Sequence, residues 1–163
     1  MKRWLVGWML VLLAGWSAPG GADEATSKIP ELRVTTIEGQ AFDLAQQRGR
    51  WVVVNYWATW CGPCLREMPE LDAFSRSRSD VTVLGLAYED IDAEALRAFL
   101  VEHPVGYPIA IVDVFDPPAD FPAPRGLPMT WLIGPDGTVA RRFLGPVDAD
   151  DLAQAMAAAG GDS

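Results

Sequence analysis

An almost unbroken apolar run, Trp51–Trp57, is followed four residues later by the first of the chain's only two cysteines, in the order Cys61-Gly62-Pro63-Cys64. A run that is apolar at nearly every position predicts a central strand buried on both faces. Pro63 has a backbone φ close to the helical value and is favoured in the first turn of a helix. We therefore predict a helix over residues 63–75, and a fold in which a buried strand leads directly into a helix that carries both cysteines on its first turn.

The cysteine pair is a candidate redox centre. Backbone N–H groups and the positive end of the helix dipole stabilise a thiolate at the first turn, and the thiolate is the form that attacks disulfides. We expect Cys61 to be exposed and to attack, and Cys64 to be shielded and to resolve the intermediate. The alternative is a structural disulfide, but a bridge that closes so small a loop removes little entropy from the unfolded chain.

The first 22 residues have the pattern of an export signal. Lys2 and Arg3 precede an apolar stretch over residues 4–16, and small residues then lead to Ala22, after which cleavage is predicted. The stretch is shorter than the ~20 residues of a membrane span, although an uncleaved anchor is the alternative. Residues 23–31 are predicted to be a linker and residues 32–160 one domain, because 163 residues suffice for a single core. We expect a periplasmic protein.

The chain is acidic, with a formal net charge of −9. Removal of residues 1–22 takes away Lys2 and Arg3 and no acid, which lowers the charge by two, to −11. Binding of phosphate groups requires a basic surface. Nucleic acid is therefore not expected as a partner.

The remaining pattern predicts an α/β fold. Residues 32–36 and 41–44 flank a turn and predict an N-terminal β-hairpin. In chain order, the further elements are a strand at 81–88, a helix at 92–102, a strand at 109–112, a hairpin at 129–133 and 138–143, and a helix at 148–159. This order gives a mixed central sheet with helices on both faces. Residues 113–125 hold four prolines and cannot form a helix.

The residues around the cysteines resemble a known family. Residues 52–64, Glu67, Pro69 and residues 126–133 are similar, in kind and order, to the thioredoxin superfamily and more closely to its TlpA-like or ResA-like exported thiol:disulfide oxidoreductases. The resemblance extends from about residue 32 to residue 159. It implies a thioredoxin-like fold and a protein-disulfide reductase that uses neither a cofactor nor a metal.

The resemblance also implies roles for residues beside the cysteines. Pro128 resembles the family's cis-proline, which lies against the cysteines and leaves the backbone of Leu127 free to pair with an extended substrate. The alternative is an ordinary proline at a strand edge. Gly62 and Pro63 match the dipeptide of reducing thioredoxins, which implies a potential nearer about −270 mV than about −120 mV. Trp60 is expected to lie over the pair and limit solvent, the alternative being core packing.

Glu67 lies three residues beyond Cys64, on the same face of the predicted helix. In the ResA-like branch a glutamate at this place acts on the protonation of the cysteines, which implies that Glu67 disfavours the Cys64 thiolate and accepts its proton during resolution. The alternative is a surface glutamate paired with Arg66 or Arg78. Thioredoxin carries a buried aspartate where this chain has Asn55, which cannot titrate, so Glu67 is the candidate for proton transfer.

Residues 113–125 replace a stretch that is normally helical in this family. We expect them to border the site, where Phe115, Phe121 and the aspartates would select the partner. The alternative is a solvated linker without a binding role.

The predicted function is the reduction of disulfides in exported proteins. By resemblance, the oxidised protein is re-reduced through a membrane thiol transporter, and its substrates belong to cytochrome c maturation or are copper-protein thiols. A monomer is expected. Two alternatives stay open, a dithiol oxidase and a carrier of copper or another metal to which His103 would add a ligand. A four-ligand zinc site cannot be built from two cysteines and one histidine alone, which disfavours the carrier.

Overall fold

The computed structural model describes residues 29–160. The predicted signal peptide at residues 1–22 and most of the predicted linker at residues 23–31 lie outside the described residues. Within residues 29–160, no helix combines the length and the apolar character that a membrane span requires.

The elements confirm the predicted order, and their ends differ from the prediction by two residues at most. They are β1 (Arg33–Thr35), β2 (Ala41–Asp43), β3 (Trp51–Trp57), α1 (Gly62–Ser77), β4 (Val81–Ala87), α2 (Ala93–Glu102), β5 (Ile109–Ile111), β6 (Met129–Ile133), β7 (Val139–Leu144) and α3 (Ala149–Gly160). A short 3-10 helix, Leu44–Gln47, was not predicted; the Asp43 side chain caps it by accepting a hydrogen bond from the Ala45 N–H at 2.9 Å.

Five strands form one mixed sheet in the order β5-β4-β3-β6-β7, and β1 and β2 form a separate antiparallel hairpin. β3 and β4 are parallel, and so are β4 and β5, whereas β6 runs antiparallel to both β3 and β7. The central position of β3 explains its composition, because a strand covered on both faces has no solvent-facing side. Val53 and Trp57 point to one face of the sheet, and Val52, Val54 and Tyr56 to the other.

The two faces of the sheet are covered differently. All three α-helices place side chains in the same core cluster, as Met68 of α1, Leu96 of α2 and Leu152 of α3 show. The crossovers β3-α1-β4 and β4-α2-β5 progress in the same direction across the sheet, and right-handed crossovers of that kind put both helices on one face. The opposite face is covered by the hairpin, the 3-10 helix through Leu44, and the proline-rich segment of residues 113–125 through Phe121. Helical cover is thus present on both faces, but unequally.

Candidate active site

The cysteine pair lies at the carboxyl end of β3, where α1 begins. Cys61 is the N-cap residue of α1, with an extended backbone, and Gly62 and Pro63 are the first two residues of the helix. The Cys64 N–H donates a hydrogen bond to the Cys61 Sγ at 3.3 Å, and the two sulfurs form a disulfide with an S–S distance of 2.05 Å. An N–H directed at the Cys61 sulfur is the contact that would stabilise a thiolate at this atom after reduction.

The prediction that Cys61 is exposed is wrong for this disulfide form. Cys61 is 5% exposed and Cys64 is fully buried. The Cys61 side chain turns back over the first turn of α1 to bond with Cys64, and both residues belong to the core cluster on the helical face. Cys61 is still the more accessible of the two, since Cys64 has no exposed surface.

Glu67 is buried, with 4% of its surface exposed, and its carboxylate joins three parts of the fold. The Asn55 Nδ2 in β3 donates to Oε1 at 2.8 Å, and the Val147 N–H, in the loop between β7 and α3, donates to Oε2 at 2.9 Å. Asn55 also donates to the Thr130 Oγ1 at 3.0 Å, from β3 to its register partner in β6. Asn55 cannot titrate, but it contacts Glu67, which can. The sequence did not show this contact.

The position of Glu67 changes its acidity. Burial raises the pKa of this carboxyl from 4.5 to about 7, while the hydrogen bonds from Val147 and Asn55 act in the opposite direction. Burial is the largest effect because a carboxylate loses its hydration there and gains no positive charge in exchange. A carboxyl with a pKa near neutrality can both accept and release a proton under ordinary conditions.

The alternative interpretation of Glu67, a surface glutamate paired with an arginine, is wrong. Arg78 instead pairs with Asp80, at 2.7 Å between Nη2 and Oδ2. Arg66 is exposed and forms no ion pair with Glu67 within residues 29–160.

Pro128 follows a cis peptide bond with Leu127, as the resemblance implied. Pro128 is buried, and Leu127 is half-buried and packs against the core cluster that contains Cys61 and Cys64. The two loops that carry the cysteines and the cis-proline therefore meet at one end of the sheet.

Trp60 is 70% exposed, so the alternative of core packing is wrong for this side chain. It lines an open cleft of about 400 Å³, which we call the redox-side cleft. The apolar wall of this cleft consists of Trp60, Tyr88, Val114, Pro124 and Leu127. Glu89, Asp90 and Arg125 are the charged residues of its lining.

The proline-rich segment borders the site and contains no helix, but its two phenylalanines differ. Phe121 is fully buried, its carbonyl accepts a hydrogen bond from the Tyr56 hydroxyl at 2.7 Å, and its ring meets that of Trp131 edge-on at 5.4 Å. The expectation that Phe121 contacts a partner is therefore wrong. Its side chain packs in the core on the sheet face that no α-helix covers. Phe115 is 91% exposed and remains available for contact.

One group that orders the cysteine loop was not found in the sequence. The Glu89 carboxylate accepts hydrogen bonds from the Thr59 N–H at 2.6 Å and from the Thr59 Oγ1 at 2.9 Å. Glu89 follows β4 and Thr59 follows β3. Adjacent parallel strands end at the same edge of a sheet, so the acidic pair Glu89-Asp90 just after a buried strand was the available signal.

Within residues 29–160, His103 and the two cysteines do not form a common cluster of potential metal ligands. Its ring stacks on Phe99 at 4.4 Å, at the end of α2. No group of three or more His, Cys, Asp or Glu side chains within residues 29–160 is arranged to hold a metal ion.

The family pattern named Redoxin matches residues 24–158, which is most of the chain. The chain belongs to the Redoxin family. The thioredoxin-like protein YneN of Bacillus subtilis is 24% identical to it over 96% of this chain and 98% of that protein. The thiol-disulfide oxidoreductase ResA of Bacillus cereus is 28% identical over 86% of this chain and 82% of that protein.

Solved structures with the same Redoxin-type fold support this assignment. A DsbF homologue from Corynebacterium diphtheriae is 25% identical, with a TM-score of 0.72 over 86% of this chain and 96% of that one. A protein from Chlorobium tepidum, described as a putative thiol:disulfide interchange protein DsbE, is 25% identical, with a TM-score of 0.69 over 81% of this chain and 94% of that one. The resemblance inferred from the sequence is confirmed: the chain is a thioredoxin-fold thiol-disulfide oxidoreductase of the ResA and DsbE type, with a Cys-x-x-Cys pair.

Proposed function

We propose that this oxidoreductase acts as a reductase of disulfides in exported partner proteins. The observation that carries the proposal is the Cys61–Cys64 disulfide at the start of α1, with the Cys64 N–H directed at the Cys61 sulfur at 3.3 Å. In the reduced protein, the Cys61 thiolate attacks one sulfur of the partner's disulfide and forms a mixed disulfide, and the other partner sulfur leaves as a thiolate. Cys64 then attacks the Cys61 sulfur, which releases the second partner sulfur. Two electrons pass to the partner, and this protein leaves as the disulfide.

The proposed role of Glu67 is to accept the proton of Cys64 during resolution. Cys64 must lose its proton to attack, and the two residues lie three positions apart on the same face of α1. Burial that raises the pKa of Glu67 to about 7 places this carboxyl between the acidity of an ordinary glutamate and that of a thiol. The proton leaves Cys64 as the S–S bond to the partner breaks.

Substrate contact is assigned to the residues in front of the cysteines and at the cis-proline: Trp60, Gly62, Pro63, Leu127 and Pro128. No backbone hydrogen bond joins Leu127 to another residue of the described range, 29–160. Its N–H and C=O groups are thus free to pair with an extended partner segment, as in strand addition at a sheet edge. This geometry supports the proposal that the partner binds across the mouth of the cysteine pair.

The direction of electron flow is tested by equilibration with glutathione. A potential near the thioredoxin value of about −270 mV supports a reductase, whereas a value near about −120 mV would make the protein a dithiol oxidase. Isothermal titration of the reduced protein with Cu(I) and Zn²⁺ tests the metal carrier, since tight stoichiometric binding would favour that function over thiol exchange.

The partner class is tested by trapping in the native host. Cys64→Ser removes the resolving thiol, so the mixed disulfide at Cys61 accumulates, and the Cys61→Ser variant is the matched control that cannot form it. We propose that the trapped partners are apocytochrome c or copper-delivery proteins of the periplasm. We also propose that the protein is a monomer and that a membrane thiol transporter is its electron donor. Recovery of the same partners with both variants would contradict the assignment of Cys61 as the attacking group.

A further inference from the structure

Two exposed aromatic side chains line adjoining grooves, and one of them, Trp60, directly precedes Cys61. Trp60 is 70% exposed and Phe115 is 91% exposed, although both residues are large and apolar. Trp60 lines the redox-side cleft of about 400 Å³. Phe115 lines an adjoining groove of about 350 Å³ that shares Glu89, Asp90 and Val114 with the cleft. Contiguous exposed apolar surface of this kind marks an interaction site.

The charge around this surface is mainly negative. The cleft and the adjoining groove together include Glu89, Asp90 and Asp113 against the single base Arg125. The Glu89 carboxylate already accepts two hydrogen bonds from Thr59, and Asp113 accepts one from the Phe115 N–H at 2.8 Å. Asp90 is exposed and has no hydrogen bond or ion pair to another residue of the described range, so its charge is free to meet a partner.

The same charges argue against self-association through this face. The chain has a formal net charge of −9, so a second copy would bring further negative charge to an acidic groove. A partner segment that carries a base next to an apolar side chain is complementary to both parts of the surface.

We propose that the redox-side cleft and its adjoining groove select the partner. The occupant is an extended segment of an oxidised protein in which a bulky apolar residue and a Lys or Arg lie next to the disulfide. The apolar side chain packs across Val114, between Trp60 and Phe115, and the base lies against Asp90 and Asp113. This proposal rests on the proposed reductase function and names the class of substrate.

Short peptides with one intramolecular disulfide test the proposal. Three peptides differ only beside the disulfide, with Leu-Lys, Leu-Glu or Ser-Lys at that place. The rate of reduction by the reduced protein is measured for each peptide and divided by the same protein's rate with bis(2-hydroxyethyl) disulfide, which is too small to span the cleft. We expect the Leu-Lys peptide to be reduced about fivefold faster than the Leu-Glu peptide, the size of effect that an exposed ion pair produces. The ratio should fall toward one at high salt.

Variants separate the two parts of the surface. In Asp90→Asn/Asp113→Asn the preference for Lys over Glu should disappear, and in Arg125→Gln it should increase. Phe115→Ser should lower the preference for Leu-Lys over Ser-Lys. The matched control is Glu38→Gln/Glu102→Gln, which removes two exposed acids outside both grooves and should retain the preferences of the wild type.

The outcomes distinguish this proposal from the proposed function. If the wild type reduces bis(2-hydroxyethyl) disulfide but reduces all three peptides at the same normalised rate, the selection by the cleft is refuted while the reductase stands. If it reduces neither class of compound, the reductase itself fails. A dimer in sedimentation that the Phe115→Ser variant dissolves would overturn the proposal in favour of a second copy as the occupant.

Discussion

Glu67→Gln should remove a pH dependence of stability that the buried carboxyl produces. Burial raises the pKa of Glu67 from 4.5 to about 7 in the folded protein, and unfolding returns the carboxyl to its ordinary value. Because the folded state binds this proton more tightly than the unfolded state, protonation of Glu67 stabilises the folded protein. This contribution to the free energy of unfolding is complete below pH 4.5 and is lost as the pH rises through 7. At about 1.4 kcal/mol per pH unit, the loss is about 3 kcal/mol.

The assay is urea unfolding of the oxidised proteins at intervals from about pH 4 to pH 8, conditions in which the disulfide prevents the cysteines from titrating. The free energy of unfolding of the wild type, relative to Glu67→Gln, should fall by about 3 kcal/mol across this interval. The amide of this variant cannot accept hydrogen bonds from both Asn55 and Val147. This loss changes the free energy of unfolding by the same amount at every pH and therefore does not alter its slope against pH. Glu70→Gln removes an exposed carboxyl from the same helix and should change stability by less than about 0.5 kcal/mol. A difference between wild type and Glu67→Gln that stays constant or rises with pH would refute the reasoning.

Three further predictions concern groups around the site. Asn55→Asp places a second carboxyl beside Glu67, so carboxyl titration by NMR should show two coupled steps with one above pH 7, and a single midpoint near 7 would count against the contact. Phe121→Ala should lower the free energy of unfolding by about 3 to 5 kcal/mol and Phe115→Ala by less than about 0.5, as equilibrium unfolding in urea will show; equal losses would contradict their different burial. Glu89→Gln should make hydrogen exchange of the Thr59 amide about tenfold faster, because a hydrogen bond to a charged group contributes ~1.5 kcal/mol. Unchanged exchange would show that this bond does not order the cysteine loop.

The fold could be predicted from the sequence because its signals are local. The apolar run of β3 and the proline at the start of α1 act within a few residues of the elements that they specify. The 3-10 helix after β2 was missed because its stabilisation comes from one side-chain cap on four residues, a pattern that ordinary turns share.

The site could be predicted less completely because several of its contacts join distant parts of the chain. The burial of Glu67 depends on Val147, 80 residues away, and on Asn55, so nothing near Glu67 in the sequence distinguishes it from a surface glutamate. The depth of Cys61 likewise depends on how α1 packs against the sheet.

The two phenylalanines of the proline-rich segment show the same limit. Phe115 and Phe121 occur in similar local sequence, yet one is 91% exposed and the other fully buried. The difference arises because the segment must cover the sheet face that lacks an α-helix, and only the three-dimensional arrangement decides which ring does so.

The most direct test of the account is the acidity and reactivity of the two thiols, each measured alone. Cys64→Ser and Cys61→Ser each leave a single cysteine, and the rate of alkylation by iodoacetamide is followed as a function of pH. We predict that Cys61 reaches half of its maximal rate well below the free-cysteine pKa of about 8.5, and that it reacts faster than Cys64 at neutral pH. A Cys61 midpoint near 8.5, or a Cys64 that reacts faster, would contradict the claim that the start of α1 makes Cys61 the attacking thiolate.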